Sequence, residues 1–174
     1  MFGSSSTLNL EHLARGLEKD IQPGDEFIVT GEHESKQEAV NYQGNAGLIR
    51  TALEANVGPW KKLADRRGAT VKYWQATPTS DDNPYSVSLK VDELIPHISE
   101  KTRIVAFTAC SNILGSILPV KEIVKVTRDE AKAQGAEKVE ISVDCVTYAP
   151  HRRIDVQDWD VDFCVFFFRD IPFT

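Results

Sequence analysis

Apolar residues recur along the chain in two alternating rhythms. Leu8, Leu10, Leu13, Ala14 and Leu17 lie at helical spacing and predict a helix over Thr7–Leu17. Short unbroken apolar runs follow the turn residues Pro23-Gly24-Asp25: Phe27-Ile28-Val29 within Glu26–Thr30, and later Ile104-Val105-Ala106-Phe107 within Arg103–Thr108. Further strands are predicted over Thr70–Trp74, Val139–Val143 and Val161–Phe166. Helices are predicted over Pro59–Arg67, with Pro in the first turn and Gly68 as the stop, over Val91–Ile98, and over Val120–Ala133. Pro78–Pro84 reads as a polar, turn-rich loop. Strand cores that are apolar throughout, rather than alternating with polar residues, suit strands buried on both faces. The pattern therefore predicts an α/β fold, a three-layer sandwich around a mainly parallel sheet of about five strands.

Composition narrows the function classes. Hydrophobic residues make up 41% and charged residues 26%, values that support a packed core and exclude wholesale disorder. The net charge is −6 with no basic run, which argues against nucleic acid or an anionic membrane as partner. No apolar run approaches the roughly 18 residues of a membrane span, and the first residues lack a signal pattern. Three cysteines in apolar settings (Cys110, Cys145, Cys164) read as packing residues in a reducing, cytoplasmic setting. No cysteine pair has metal spacing and the four histidines are scattered, so no metal site is expected.

In such sheets ligands bind at the carboxyl ends of strands and at helix N-termini. Gly3-Ser4-Ser5-Ser6-Thr7 opens the first helix; its hydroxyls and free amides suit a phosphate, or serve as an ordinary cap. Asn112, in Ser111-Asn112-Ile113-Leu114-Gly115, could orient a ligand oxygen or shape a turn. Asp144 ends a strand, where a carboxylate could hold a ligand ring nitrogen protonated or cap the next turn. His151, in Ala149-Pro150-His151, either joins the site or satisfies a loop carbonyl.

The order of these stretches is more specific than any one of them. Phe2-Gly-Ser-Ser-Ser-Thr7, Pro23-Gly-Asp-Glu-Phe-Ile-Val-Thr30, Ser111-Asn-Ile-Leu-Gly115, Val143-Asp144, Ala149-Pro150-His151 and Trp159-Asp-Val-Asp-Phe163 together resemble class V aminotransferases. Within that class they resemble the cysteine-desulfurase-like branch of pyridoxal-phosphate (PLP) enzymes. The resemblance implies the large domain of a fold type I PLP enzyme, a homodimer in this family, acting on an amino-acid substrate. It implies that Ser5, Ser6 and Thr7 cradle the cofactor phosphate, His33 stacks on the pyridine ring and Asn112 lies near the phenolic oxygen. Asp144 would hold the pyridine nitrogen protonated. Thr147 stands where desulfurases often carry Gln, and His151 supports the site.

Two departures from the family pattern stand out. The family runs His-Glu/His-Ala-Asn-x-x-Pro-Trp without a break; here His33-Glu34 and Ala55-Asn56-Val57-Gly58-Pro59-Trp60 are separated by Ser35–Glu54, that is 54 − 35 + 1 = 20 residues. Deleting them restores the motif, so residues 35–54 of the partial domain 1–174 read as foreign: an unspliced short intron or a misjudged exon boundary. The alternative is a surface loop with some helix, since Leu48, Ile49, Ala52 and Leu53 lie at helical spacing. The second departure is at Ser-x-x-Lys, whose lysine forms the Schiff base with PLP in the family. In register, Phe167 takes the serine position and Asp170 the lysine position; the nearest upstream lysine is Lys138. The expectation is a truncated product without a catalytic lysine, inactive as written. The alternative is a non-catalytic fragment that binds phosphate ligands or pairs with a full-length subunit.

Overall fold

A computed structural model describes residues 3–31, 46–80, 82–111 and 115–166. The two longest apolar runs form β1 (Glu26–Gly31) and β5 (Thr102–Thr108), and in each four consecutive residues are buried. Unbroken burial requires cover on both faces. With β2 (Thr70–Gln75), β6 (Glu140–Asp144) and β7 (Phe163–Val165) they form a sheet in the order β2-β1-β5-β6-β7. Every pairing in it is parallel, with Ile28 opposite Val105, Val105 opposite Ile141 and Val143 opposite Cys164.

Alternate residues of each strand supply two cores. On one face, Phe27, Val29, Ile104 and Ala106 pack against α1 (Ser6–Leu17), through Leu10 and Ala14, and against α2 (Ala46–Arg67), through Trp60 and Leu63. On the other face, Ile28, Val105, Phe107, Ile141 and Val143 meet α4 (Val120–Ala133), through Ile123 and Val124. Two short helices, α3 (Val91–Leu94) and α5 (Val156–Trp159), complete that layer with Leu94 and Trp159. Phe27, Trp60, Trp74 and Phe107 have no exposed surface. Burial of such a side chain stabilises by roughly 1.5–3 kcal/mol. Trp74 also satisfies its indole N–H, which donates to the Lys90 carbonyl at 3.0 Å. The three-layer α/β architecture expected from the pattern is the one found. Among the described residues no helix is long and apolar enough to cross a membrane.

Three expectations need correction. The helix predicted to begin at Pro59 begins at Ala46, and Pro59 lies inside it. Pro is favoured in a first turn, but an interior Pro forfeits one amide hydrogen bond and can be carried by a long helix with packed neighbours. Pro78–Pro84 is not a loop: β3 (Thr77–Ser80) and β4 (Asn83–Ser88) pair antiparallel as a separate hairpin. A two-stranded ribbon satisfies its own backbone, and its prolines need only sit where no ladder bond is donated. The predicted Val91–Ile98 helix divides into α3 and a 3-10 turn over Ile95–His97, where Pro96 disrupts the α pattern. Gly68 does end α2, with φ +70° and the Ala69 amide donating back to Ala64 at 2.9 Å.

At the amino edge of the sheet, a polar clasp ties three elements together. Glu26 of β1 accepts from Lys72 Nζ of β2 at 2.6 Å and from the Ser99 hydroxyl, while Lys72 also donates to the His97 carbonyl at 3.0 Å. Burial pushes the Glu26 carboxyl up, but these hydrogen bonds and the Lys72 charge outweigh it and hold it below its usual 4.5. A folded pKa below the unfolded one gives stability that is present above about pH 4.5 and lost as pH falls through the folded value. Glu26→Ala is therefore expected to cost about 1–3 kcal/mol at pH 7 by urea unfolding, with the difference shrinking towards pH 3. An equal cost at both pH values would show that the clasp does not act through the ionised carboxylate.

Candidate active site

Because all five strands run the same way, their carboxyl ends gather on one edge. Gly31, Gln75, Thr108, Asp144 and Val165 terminate there. α1 leads through a short turn into the amino end of β1, so its own N-terminus lies towards this edge as well. α2 runs beside α1 in the same direction: Lys62 bonds Glu11 at 2.6 Å and, further along α2, Arg66 bonds Glu18 just past the end of α1 at 3.0 Å.

The α1 N-terminus is built by its first residues. Ser5 is the cap, with extended backbone, and its hydroxyl accepts the Leu8 amide at 3.1 Å. The Asn9 amide donates to the Ser5 carbonyl at 3.0 Å. Among the described residues, the amides of Ser6 and Thr7 have no acceptor, as expected for the first turn of a helix. Gly3 leaves room for Asn9: a Cβ there would stand 2.0 Å from Asn9 Oδ1 and would require that side chain to move. Ser5 thus has a structural role as a cap, and the anion-binding capacity lies in the Ser6 and Thr7 amides with the Ser6 and Thr7 hydroxyls.

Asp144 ends β6 and starts the next turn. Its Oδ1 accepts the Val146 amide at 2.9 Å, and among the described residues that is the one donor to its side chain. Burial raises the carboxyl above its usual 3.8, and the Val146 bond offsets this only in part. A carboxylate so shielded, with acceptor capacity left over, is suited to a protonated donor in a ligand. The next residue, Cys145, is fully buried; its hydrogen bond to the Cys164 sulfur and its burial push the thiol far up, so it stays protonated. The packing role expected of Cys145 and of buried Cys110 holds.

Beyond Asp144 a cleft of about 300 Å³ opens between two walls. One wall is the segment after β5, with Ser111 and Ile117; the other is the turn after β6, with Thr147, Tyr148, His151 and Arg152. Both walls are fixed by backbone bonds. The Ser111 amide donates to Ser116 at 2.9 Å and Gly115, at φ +69°, donates to Ser111 at 3.0 Å. The amides of Ala149 and of His151 donate to Cys145 and Tyr148 at 2.8 and 3.0 Å. A larger groove of about 510 Å³ adjoins through Tyr148, but Leu118, Val120 and Trp159 make its lining mostly apolar, and its Lys121 is paired with Asp158.

The structure thus brings Thr147 and His151 into one cleft directly after Asp144. Ser5, Ser6 and Thr7 lie at the same edge without lining that cleft. His33, Asn112, Phe167 and Asp170 lie outside the described residues. Tyr148 and Arg152 line the cleft although sequence reasoning passed over them. The available signal was their place in the same short turn as Thr147 and His151.

Known proteins are similar to this chain in sequence and fold. The family described as Aminotransferase class-V matches residues 1–167. An aminotransferase-like protein of Gibberella zeae is 36% identical over 167 residues, 95% of this chain and 33% of that protein. A cysteine desulfurase of Pectobacterium carotovorum is 34% identical over 165 residues, 94% of this chain and 32% of that protein. The solved structure of a C-DES variant with glycine linked to its PLP cofactor shares the fold, with TM-score 0.66 and 21% identity over 92% of this chain and 34% of that one. The chain spans about a third of the length of the curated relatives it matches. With the parallel sheet, the site at its carboxyl edge and a match over nearly all its residues, this chain belongs to the class V aminotransferase family.

Proposed function

We propose that this chain supplies the cofactor-binding part of a PLP-dependent enzyme acting on an amino acid, with cysteine desulfurase-like or aminotransferase-like chemistry in the whole protein. The observation that carries this reading is Asp144: a shielded carboxylate with one backbone donor, at the carboxyl edge of a parallel sheet. PLP, when bound, supplies an electron sink for electrons released at the α-carbon of the substrate. Asp144 would accept a hydrogen bond from its protonated ring nitrogen, which repays the loss of hydration that now raises the carboxyl. The Ser6 and Thr7 amides, with the Ser5–Thr7 loop, would hold the phosphate. Thr147 and His151 would border the site, and His33 and Asn112 join it by resemblance. The free thiols support a reducing, cytoplasmic setting.

As the sequence is written, PLP is held without a covalent bond at the expected position, because Asp170 stands in register with the lysine of the family and a carboxylate forms no imine. This favours a second reading, a non-catalytic chain that binds phosphate ligands or pairs with a full-length subunit. Residues 35–54 are foreign to the family motif on the same register.

Asp144→Asn separates the cofactor reading from a purely structural one. A folded pKa above the unfolded value means that stability is fully present below about pH 3.8 and is lost as pH rises through the folded value. Without ligand the Asn variant, which keeps an acceptor for Val146, should therefore melt roughly 2–4 °C higher at pH 7. It should also bind PLP at least tenfold more weakly in fluorescence titration; a variant that binds PLP as the parent does would refute the role of Asp144. Borohydride treatment of the PLP-saturated chain should leave its mass unchanged after dialysis, and a stoichiometric pyridoxyl group on one lysine would overturn the non-covalent assignment. Mature transcripts should lack the codons for Ser35–Glu54; their presence in most copies would identify the segment as native.

A further inference from the structure

Cys145 and Cys164 make a thiol pair that the proposed function leaves unused. Val143 of β6 stands opposite Cys164 of β7. Cys145 lies two residues beyond Val143, so its side chain returns to the same face of the sheet. Both side chains pack into the core on the α4 side, and the Cys145 thiol donates a hydrogen bond to the Cys164 sulfur. The backbone joins the two segments at this level, because the Cys145 amide donates to the Val165 carbonyl at 2.7 Å. The two cysteines differ in access. Cys145 is fully buried, whereas Cys164 is half-buried on β7, the edge strand of the described sheet. Cys110 is placed differently: it is buried, and its thiol donates to the Ser111 carbonyl at 3.8 Å.

An accessible thiol with thiolate character, beside a second thiol that can resolve it, is what a peroxide-reactive pair requires. The bond donated by Cys145 holds the Cys164 thiol below its usual 9.0; burial and the Asp144 carboxylate oppose this without reversing it. We propose that Cys164 and Cys145 form a peroxide-oxidised site, in which Cys164 reacts first and the buried Cys145 resolves it to a disulfide. In the first step the Cys164 sulfur attacks one peroxide oxygen and the O–O bond breaks. Hydroxide leaves, takes up the proton that Cys164 gave up, and becomes water; Cys164 is left as a sulfenic acid. The Cys145 sulfur then attacks the Cys164 sulfur, the S–O bond breaks, and the hydroxyl leaves as a second water with the Cys145 proton. Two thiols are oxidised to one disulfide while one peroxide is reduced to two waters. The new bond would tie the end of β6, next to Asp144, to the edge strand. The chemistry rests on the two thiols and stands apart from the cofactor reading.

The test exposes the folded, full chain to a slight excess of hydrogen peroxide, then denatures it, blocks free thiols with N-ethylmaleimide and measures the mass. The untreated chain should take up three maleimides, one for each cysteine. The treated chain should take up one, at Cys110, and dithiothreitol should restore the rest. Peptide mapping should find Cys145 linked to Cys164. In the folded chain Cys164 should react at least about tenfold faster than Cys110, and the difference should shrink below about twofold in concentrated urea. Cys145→Ser should stop Cys164 at the sulfenic acid, which dimedone captures, and Cys164→Ser should keep both remaining thiols. Three maleimides on the treated parent chain would overturn the site. So would a disulfide through Cys110 or between two chains, or sulfinic acid on Cys164 with Cys145 still a thiol. The parent chain alone decides these outcomes, so a variant that fails to fold does not weaken the test.

Discussion

The parallel pairing of β1, β5 and β6 is the constraint from which the rest of the molecule follows. Parallel neighbours cannot be joined by tight turns, so each connection must travel back along the sheet, and helices do so while burying its faces. This is why α2 lies between β1 and β2, why α4 lies between β5 and β6, and why both sheet faces are apolar. The same pairing puts every strand's carboxyl end on one edge. Residues distant in the chain, such as Ser111 and His151, therefore share a cleft without any long-range motif linking them. The amino edge, by contrast, carries the Glu26–Lys72–Ser99 clasp and serves stability. The two edges divide the labour of the fold.

Asp144 shows what a carboxylate at the carboxyl edge costs. The half-buried residue sits in a fixed backbone, where the Ala109 amide donates to the Asp144 carbonyl at 2.8 Å and the Cys145 amide to Val165 at 2.7 Å. These bonds fix the backbone but leave the side chain with the Val146 amide alone. A structural Asp in such a place would normally acquire a second donor. One that does not is less stable than it could be until something supplies the donor, which is the usual relation between a binding group and the stability of its empty site.

How much of this was legible in sequence depended on whether a feature is local. The core strands were, because four-residue apolar runs such as Ile104–Phe107 need no context, and Leu10, Ala14 and Leu17 mark α1 by spacing alone. The β3–β4 hairpin was not, because Pro and Asp in Pro78–Pro84 signal a loop unless the ribbon pairs with itself. Asp144 was legible as the acid that ends an apolar strand. Its burial was not, since that arises from flanking strands far away in the chain. Arg152 was hidden for a different reason. The sequence Arg152-Arg153 presents two equal cations, and only the fold shows that Arg153 pairs with Asp155 while Arg152 lines the cleft.

The first turns of α2 lie outside the core. α1 and α2 descend together from the carboxyl edge, so Asn56 stands roughly level with the start of α1, and residues 46–54 prolong the helix by about 14 Å on the binding side. Trp60, Leu63 and Ala64, which seal the α1–α2 layer, all lie on the other side of the junction at Glu54–Ala55. Added residues at that junction therefore need not displace a core side chain, nor change the register of β1 with β2. The described part of this stretch, residues 46–54, therefore lies at the carboxyl edge, away from the core side chains of α2.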